Sequence, residues 1–154
     1  MNRRHILLAT PALLAGACAS GPRRYQLQVT RDDSCSCCAG WAAAMEKTGR
    51  FQVIMFDAGD PASFKRSVGV PNGFGACHTA KVEGYVIEGH VPAADILSLI
   101  EKKPPAVIGL VVPGMPRGSP GMEQTSGAKD EIIVWAFDKN GVTSKYASYA
   151  ALAV

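Results

Sequence analysis

The chain of 154 residues, 47% hydrophobic and 19% charged, has the composition of one compact domain and not of a disordered or fibrous protein. Two of its 16 basic residues, Arg3 and Arg4, fall in a predicted leader, so the mature chain with its 13 acidic residues is nearly neutral. A nearly neutral chain without a basic stripe argues against nucleic acid as a partner.

The leader is predicted over residues 1–19, with a basic start, a mostly apolar stretch over 6–14 and small side chains over 15–17. The apolar stretch is too short to span a bilayer in the mature protein. The paired arginines also fit a twin-arginine signal, and Cys18 fits the acceptor cysteine of a lipoprotein. All of these routes predict an exported protein, in the periplasm or on the outer face of the membrane, that touches the membrane only through a leader or a lipid anchor.

After a linker over 20–24, the spacing of apolar and turn-forming residues predicts the secondary structure of the rest of the chain. In chain order the predicted elements are a strand over 25–30, a helix over 39–48, a strand over 51–57, a short helix over 60–68, a hairpin over 79–82 and 85–88, an amphipathic helix over 92–103, a proline- and glycine-rich loop over 104–128, and a second hairpin over 131–137 and 142–146.

The first seven of these elements follow the order β-α-β-α-β-β-α, which is that of thioredoxin-like proteins. We therefore expect an α/β fold, with a single thioredoxin-like domain over 25–154. A Pro/Gly loop that carries two methionines and a C-terminal β-hairpin would extend this domain.

A dense group of cysteines is the most informative feature of the mature chain: Cys35, Cys37, Cys38 and, forty residues later, Cys77. An even number of cysteines in an exported protein would normally suggest two disulfides. Adjacent Cys37 and Cys38 cannot easily bridge each other, however, and three cysteines in four residues leave few pairings with disulfide geometry. Such a cluster can hold a thiophilic metal, form a redox disulfide, or do both.

In the thioredoxin-like order, this cluster lies on the turn between the first strand and the first helix, where the helix N-terminus stabilises thiolates. The loop before the third strand lies against the same turn, and Cys77 and His78 occupy that loop here. The sequence therefore predicts that Cys77 and His78 meet the cluster at one site.

Three stretches of the sequence resemble a known bacterial family. They are Cys35-x-Cys37-Cys38 with Trp41, the segment from Cys77-His78-Thr79-Ala80 to Gly89-His90-Val91-Pro92-Ala93, and the segment from Pro113-Gly114-Met115-Pro116 to Gly121-Met122-Glu123. Together they resemble domain-of-unknown-function family 411, over roughly residues 25–146. The resemblance implies a periplasmic or membrane-tethered copper-binding protein. This chain has Ser36 where the family cluster usually has glycine, which leaves the spacing of the sulfur ligands intact.

Copper(I) prefers thiolate and thioether ligands in low coordination numbers and accepts imidazole. Two methionines count as candidates because they lie in the Pro/Gly loop and not on an apolar helix face. The predicted metal ligands are Cys35, Cys37, Cys38, Cys77, His78, Met115 and Met122. Zinc is the competing metal, since three cysteines and a histidine suit a closed tetrahedral site, although the adjacency of Cys77 and His78 is awkward for it.

Other residues of these types are expected to be structural. Trp41 and Met45 fit the buried face of a helix, and Met55 fits a strand, so all three are assigned to the core. His90, which follows Glu88-Gly89 and precedes a helix start, is expected to have a hydrogen-bonded structural role.

The sequence thus predicts an exported copper(I)-binding protein for copper sequestration, transfer or resistance, with the copper ion and another periplasmic copper protein as candidate partners. The alternative is a periplasmic thiol–disulfide oxidoreductase, with Cys35 as nucleophile and Cys38 as resolving cysteine. A third thiol inside the motif would divert that disulfide. The third interpretation is a structural scaffold whose cysteines serve only to form stabilising disulfides. Ordinary hydrolase chemistry has no support in the sequence.

Overall fold

A computed structural model describes residues 21–32 and 34–153 of the chain, so the predicted leader and Cys18 lie outside it. The described residues form seven strands and three helices: β1 (Tyr25–Arg31), α1 (Ser36–Lys47), β2 (Phe51–Asp57), α2 (Pro61–Ser67), β3 (His78–Val82), β4 (Tyr85–Glu88), α3 (Ala93–Lys102), β5 (Val107–Val111), β6 (Ile132–Asp138) and β7 (Thr143–Tyr149). The order through α3 is the predicted β-α-β-α-β-β-α. Within the same residues, no helix is both long and apolar enough to cross a membrane.

One mixed sheet contains all seven strands, in the order β2-β1-β3-β4-β5-β6-β7. β1 is parallel to β2 and β4 is parallel to β5, whereas the other neighbours are antiparallel. In the pairing of β1 with β3, Arg31 lies opposite His78. The end of β1, which leads to the cysteine cluster, and the start of β3 therefore lie side by side.

Helices α1 and α3 share one apolar core with the sheet. Trp41 and Met45 of α1 belong to the same buried cluster as Ile96 and Leu99 of α3, and Met55 of β2 packs against its margin. The assignment of Trp41, Met45 and Met55 to the core is therefore confirmed. Complete burial of a large apolar side chain contributes about 1.5–3 kcal/mol, so this shared core is what holds α1 in place on the sheet.

The prediction of an unbroken loop over 104–128 is wrong, because residues Val107–Val111 form β5 between β4 and β6. A strand that is covered on both faces is apolar throughout and lacks the alternation by which strands are recognised. The short apolar run of β5 also lies among prolines and glycines, which favoured the interpretation of the whole segment as a loop. The irregular segment that follows, residues 113–123, is called the Met loop below.

Helix α1 begins earlier than predicted, at Ser36 and not at Ala39, with Cys35 as its N-cap residue. Serine and cysteine are weak helix formers, so the sequence pattern alone did not extend the helix into the cluster. Cys37 and Cys38 consequently lie in the first helical turn, where backbone N–H groups have no partner inside the helix.

The shorter elements and the C-terminal hairpin agree with expectation. Asp60 caps α2, since its carboxylate accepts a hydrogen bond of 2.9 Å from the Ser63 backbone N–H. Strands β6 and β7 form the predicted antiparallel hairpin, and β7 continues to Tyr149, three residues beyond its predicted end.

Two glycines bring the Met loop into direct backbone contact with α1. A Cβ atom on Gly40 would lie 2.9 Å from the Gly121 carbonyl oxygen. A Cβ atom on Gly121 would overlap the backbone nitrogen of Trp41, and Gly121 also has a φ of 81°, which disfavours other residues. This close approach fixes the Met loop beside the second turn of α1.

The buried carboxylate of Glu88 fixes the segment before β3. It accepts hydrogen bonds of 2.6 Å from Lys65 Nζ, from the Ala76 backbone N–H and from Thr79 Oγ1. Burial raises the pKa of Glu88, and the Lys65 charge with these hydrogen bonds opposes that rise. Because Ala76 immediately precedes Cys77, the ion pair anchors the backbone that carries this cysteine.

We expect Gly121→Ala to lower the free energy of unfolding by about 2–4 kcal/mol, through left-handed backbone strain and overpacking against α1. Gly49→Ala is the matched control, because Gly49 also has a positive φ, of 70°, but open space around its Cα. Gly49→Ala should lower the free energy of unfolding by only about 1 kcal/mol. Urea unfolding followed by circular dichroism measures both, and equal losses would contradict the close packing of the Met loop on α1.

We expect Glu88→Leu to destabilise the protein by about 3–5 kcal/mol, because it leaves the mostly buried Lys65 ammonium without its counter-charge. The double variant Lys65→Met, Glu88→Leu should recover much of that loss, since an apolar pair can replace a buried ion pair at little cost. Urea unfolding of both single variants and the double variant gives the coupling energy. Strictly additive effects would show that the pair does not act as a unit.

Candidate metal centre

The structure brings four cysteine sulfurs together at the start of α1, as predicted. The Sγ atoms of Cys35, Cys37, Cys38 and Cys77 all lie within 4.8 Å of one another. Three of them come from the N-terminal end of α1, and the fourth comes from the residue directly before β3. The antiparallel pairing of β1 with β3 is what joins these two distant parts of the chain.

Cys35 and Cys38 form a disulfide, whereas Cys37 and Cys77 carry free thiols. Residues three apart lie on one face of a helix, so Cys35 and Cys38 can form the bridge. The Cys37 sulfur remains only 3.3 Å from the Cys35 sulfur. In this state the cluster offers two thiols, and reduction of the disulfide makes all four available.

A second group of donors shares Cys77 with the first. Cys77 Sγ lies 3.2 Å from His78 Nδ1 and 3.1 Å from His90 Nε2, and the three side chains meet the distance requirement for a metal site. Both histidines are fully buried. Burial and the neighbouring Cys37 raise the pKa of Cys77 to about 12, so its thiol is protonated in the free protein.

The hydrogen bond of His90 determines which of its nitrogens is free. His90 Nδ1 lies 2.8 Å from the Pro120 carbonyl oxygen, which can only accept, so Nδ1 carries the proton. Burial lowers the pKa of His90, which favours the neutral ring. Its Nε2 lone pair therefore points toward Cys77, in the arrangement typical of a metal-ligating histidine held by a backbone carbonyl.

His78 is buried without a full set of partners. Within the described part of the chain, its Nε2 atom has no hydrogen-bond partner. The ring packs 4.4 Å from the Trp41 ring, whose indole N–H donates to the Val91 carbonyl oxygen over 3.0 Å. Burial, with smaller contributions from His90 and Lys65, lowers the pKa of His78 to about 3, so the imidazole is neutral at physiological pH.

The two predicted methionine ligands differ in position. The Met115 sulfur lies 3.5 Å from the Cys37 sulfur, so the structure brings this thioether to the cluster. Met122 holds the Met loop through its backbone, which accepts from the Gly118 N–H and donates to the Ser119 carbonyl, each over 2.8 Å. Among the described residues, no hydrogen bond links the Met122 sulfur to the cysteines.

His90 is the residue that sequence reasoning missed as a candidate donor. The signal lay in the hairpin register, in which Thr79 pairs with Glu88 across the two-residue turn between β3 and β4. Two further steps along the same antiparallel register set Cys77 opposite His90. Counting outward from a two-residue turn would therefore have predicted their proximity.

The donors that these two groups assemble are sulfur and imidazole nitrogen, and neither group includes a carboxylate. Such donors suit soft or borderline metals such as copper(I) and zinc, and fit magnesium or calcium poorly. The His78 nitrogen that faces Cys77 is Nδ1, and among the described residues the buried Nε2 on the other side of the ring has no hydrogen-bond partner, which is costly.

Comparisons with known proteins agree with this chemistry. Residues 74–122, which include Cys77, His78 and His90, match the family described as "Protein of unknown function, DUF411". The comparison with curated proteins gave no match. The solved structure "Copper resistance protein copG- Form 1" is 38% identical, with a TM-score of 0.75, and the match covers 84% of this chain and 99% of that one. "Copper resistance protein copG- Form 2" is also 38% identical, with a TM-score of 0.76, and the match covers 82% of this chain and 99% of that one. The family resemblance seen in the sequence is confirmed: the chain belongs to the DUF411 family and is similar along most of its length to the copper resistance protein copG.

Proposed function

We propose that the protein binds copper(I) as its cargo and serves in copper resistance by sequestering the ion or passing it on. The observation that carries this proposal is the convergence of two groups of sulfur and imidazole donors on the shared residue Cys77. The proposed donors are Cys35, Cys37, Cys38, Cys77, His78 and His90. Membership of a family that includes a copper resistance protein supports the same conclusion.

The surroundings of Cys37 favour copper(I) over zinc. Thioethers are ligands for copper(I), whereas zinc sites in proteins use thiolate, imidazole and carboxylate. A thioether, that of Met115, lies beside the Cys37 thiol, 3.5 Å from its sulfur. Met122, whose sulfur has no described hydrogen bond to the cysteines, stays a prediction. Zinc remains the competing metal, because thiolates and imidazoles are also the donors of four-coordinate zinc sites.

The state of the disulfide should control how many ligands are available. Thiolates bind metals, and disulfide sulfurs do not bind them comparably. With Cys35 and Cys38 joined, the site retains Cys37, Cys77 and the histidines. We therefore propose that full copper capacity needs the reduced protein, in which an external thiol has opened this disulfide.

The fold and the location follow the same proposal. We propose a thioredoxin-like domain, which the strand order β2-β1-β3-β4 and the position of α1 directly after β1 support. We also propose export to the periplasm or the outer face of the membrane. That proposal rests on the leader-like residues 1–19 and on the kinship with copG.

An anaerobic titration of the reduced protein with copper(I), in competition with a coloured chelator, tests the copper function. We expect the protein to take copper from the chelator, and Cys77→Ser to weaken its affinity by more than about a hundredfold. Loss of an outer-shell partner alone typically costs about 10–100-fold, and Cys77 is proposed to bind the ion itself. Ser36→Ala, a change at an exposed position inside the cluster, is the matched control and should bind normally. Normal binding by Cys77→Ser would contradict the shared-ligand arrangement, and absence of competition by the wild-type protein would remove the copper function.

The disulfide between Cys35 and Cys38 favours a second candidate, a thiol–disulfide oxidoreductase. The pair has Cys-x-x-Cys spacing at a helix N-terminus, where thiolates are stabilised. In such a reaction the Cys35 thiolate attacks a substrate disulfide, one substrate thiol leaves, and Cys38 then displaces the other as the intramolecular disulfide forms.

If copper binding is the function, the reduced protein should not turn over a disulfide substrate such as insulin in the presence of excess thiol reductant. The free Cys37, 3.3 Å from Cys35, competes for the mixed disulfide and impedes a clean cycle. Insulin turbidity measures turnover, with thioredoxin as the positive control. Turnover that is lost in Cys35→Ser and retained in Cys77→Ser would favour the oxidoreductase instead.

A further inference from the structure

The soft donors of the candidate metal centre form a series from the surface to the interior. Met115 has 53% of its surface exposed, although it is a large apolar residue. Cys37 and Cys77 are half-buried, and His78 and His90 are fully buried. Of these five side chains, that of Met115 is the most exposed to a molecule approaching from solvent.

Each donor in the series lies close to the next. Met115 Sδ is 3.5 Å from Cys37 Sγ, which lies within 4.8 Å of Cys77 Sγ. The next step, from Cys77 Sγ to His90 Nε2, is 3.1 Å. Because metal–sulfur bonds are themselves about 2.3 Å long, adjacent donors at such spacings can hold one ion between them. An ion can therefore move along the series without release into water.

The exposure of Met115 is built into the Met loop. Arg117 is tied to Asp130 through its backbone N–H and two guanidinium nitrogens, and the buried Ser119 hydroxyl donates to the Pro116 carbonyl over 2.7 Å. Farther along, Gly121 lies against α1. These contacts anchor the loop just after Met115 and keep about half of this side chain exposed, although exposed apolar surface does not contribute to folding stability.

We propose that Met115 is the receiving ligand of the site: it accepts copper(I) from a carrier protein that presents exposed sulfur or imidazole donors, and passes the ion to Cys37. This inference rests on the proposed copper function and adds the point at which cargo arrives. The carrier must present soft ligands, because only such ligands hold copper(I) and then exchange it directly with a thioether.

The exchange leaves the oxidation state of copper unchanged. The bond between copper and the carrier's donor breaks as the bond to the Met115 sulfur forms, and the thioether has no proton to lose; a carrier thiolate that is released takes up a proton from solvent. When the ion passes to Cys37, the thiol proton leaves to solvent and the thiolate takes its place as ligand. A thiolate binds copper(I) more strongly than a neutral thioether does, so this second step draws the ion inward.

Stopped-flow transfer of copper(I) from its coloured bicinchoninate complex to the reduced protein tests this role. We expect Met115→Leu to reduce the second-order capture rate by about tenfold, which corresponds to about 1.4 kcal/mol of transition-state stabilisation. Any loss of equilibrium affinity should be smaller than the loss of capture rate, so the rate of return to the chelator should fall as well. Met55→Leu, the same change at a half-buried residue of β2, is the matched control and should keep the wild-type rate.

Met115→His supplies a readout that a purely structural role would not move, because it replaces one copper donor by another at the same exposed position. We expect it to regain part of the capture rate that Met115→Leu loses. A wild-type rate in Met115→Leu would overturn the receiving role while leaving copper binding intact. An equal loss of rate and affinity would also overturn it, since Met115 would then be a permanent ligand. Failure of the wild-type protein to take copper at all would refute the proposed function and this inference together.

Discussion

The hydrogen-bond register of β3 is the constraint on which the candidate metal centre depends. Pairing with β1 sets His78 opposite Arg31, next to the cysteine cluster, and pairing with β4 carries His90 to the same end of the sheet. A slip of one residue would turn every side chain of β3 to the other face of the sheet. The donors therefore meet because two strand pairings agree, although they come from parts of the chain that are far apart in sequence.

Burying the polar groups of the site lowers the stability of the folded protein, and the rest of the domain must offset this loss. Two neutral imidazoles, a half-buried thiol and a fully buried carboxylate lie behind it, and His78 Nε2 has no hydrogen-bond partner among the described residues. A buried polar atom without a partner typically costs about 1–3 kcal/mol. The shared core of α1, α3 and the sheet, together with the Lys65–Glu88 pair, keeps the site formed in spite of this cost. Stability given up at one place in this way is typical of a functional site.

Copper handling and disulfide chemistry draw on the same structural element. The first turn of α1 presents cysteines to a helix N-terminus, which favours thiolates for either purpose. What separates the two functions is the surroundings of the turn: Met115 beside Cys37, and the Cys77 segment facing the cluster. Both additions are donors that a metal can use and that a disulfide cycle does not need. The surroundings therefore favour the copper function, in agreement with the kinship to copG.

The sequence by itself determined the element order through α3, the clustering of three cysteines near the start of the first helix, and the family. These depend on local spacing and on short motifs, which are visible along the chain. It did not reveal β5, because a strand covered on both faces lacks alternation, nor the start of α1 inside the cluster. Only the tertiary structure decided that His90 faces Cys77 and that Met115 reaches Cys37. Those contacts depend on strand register and on the Gly40–Gly121 approach, which bring together residues that no local pattern connects.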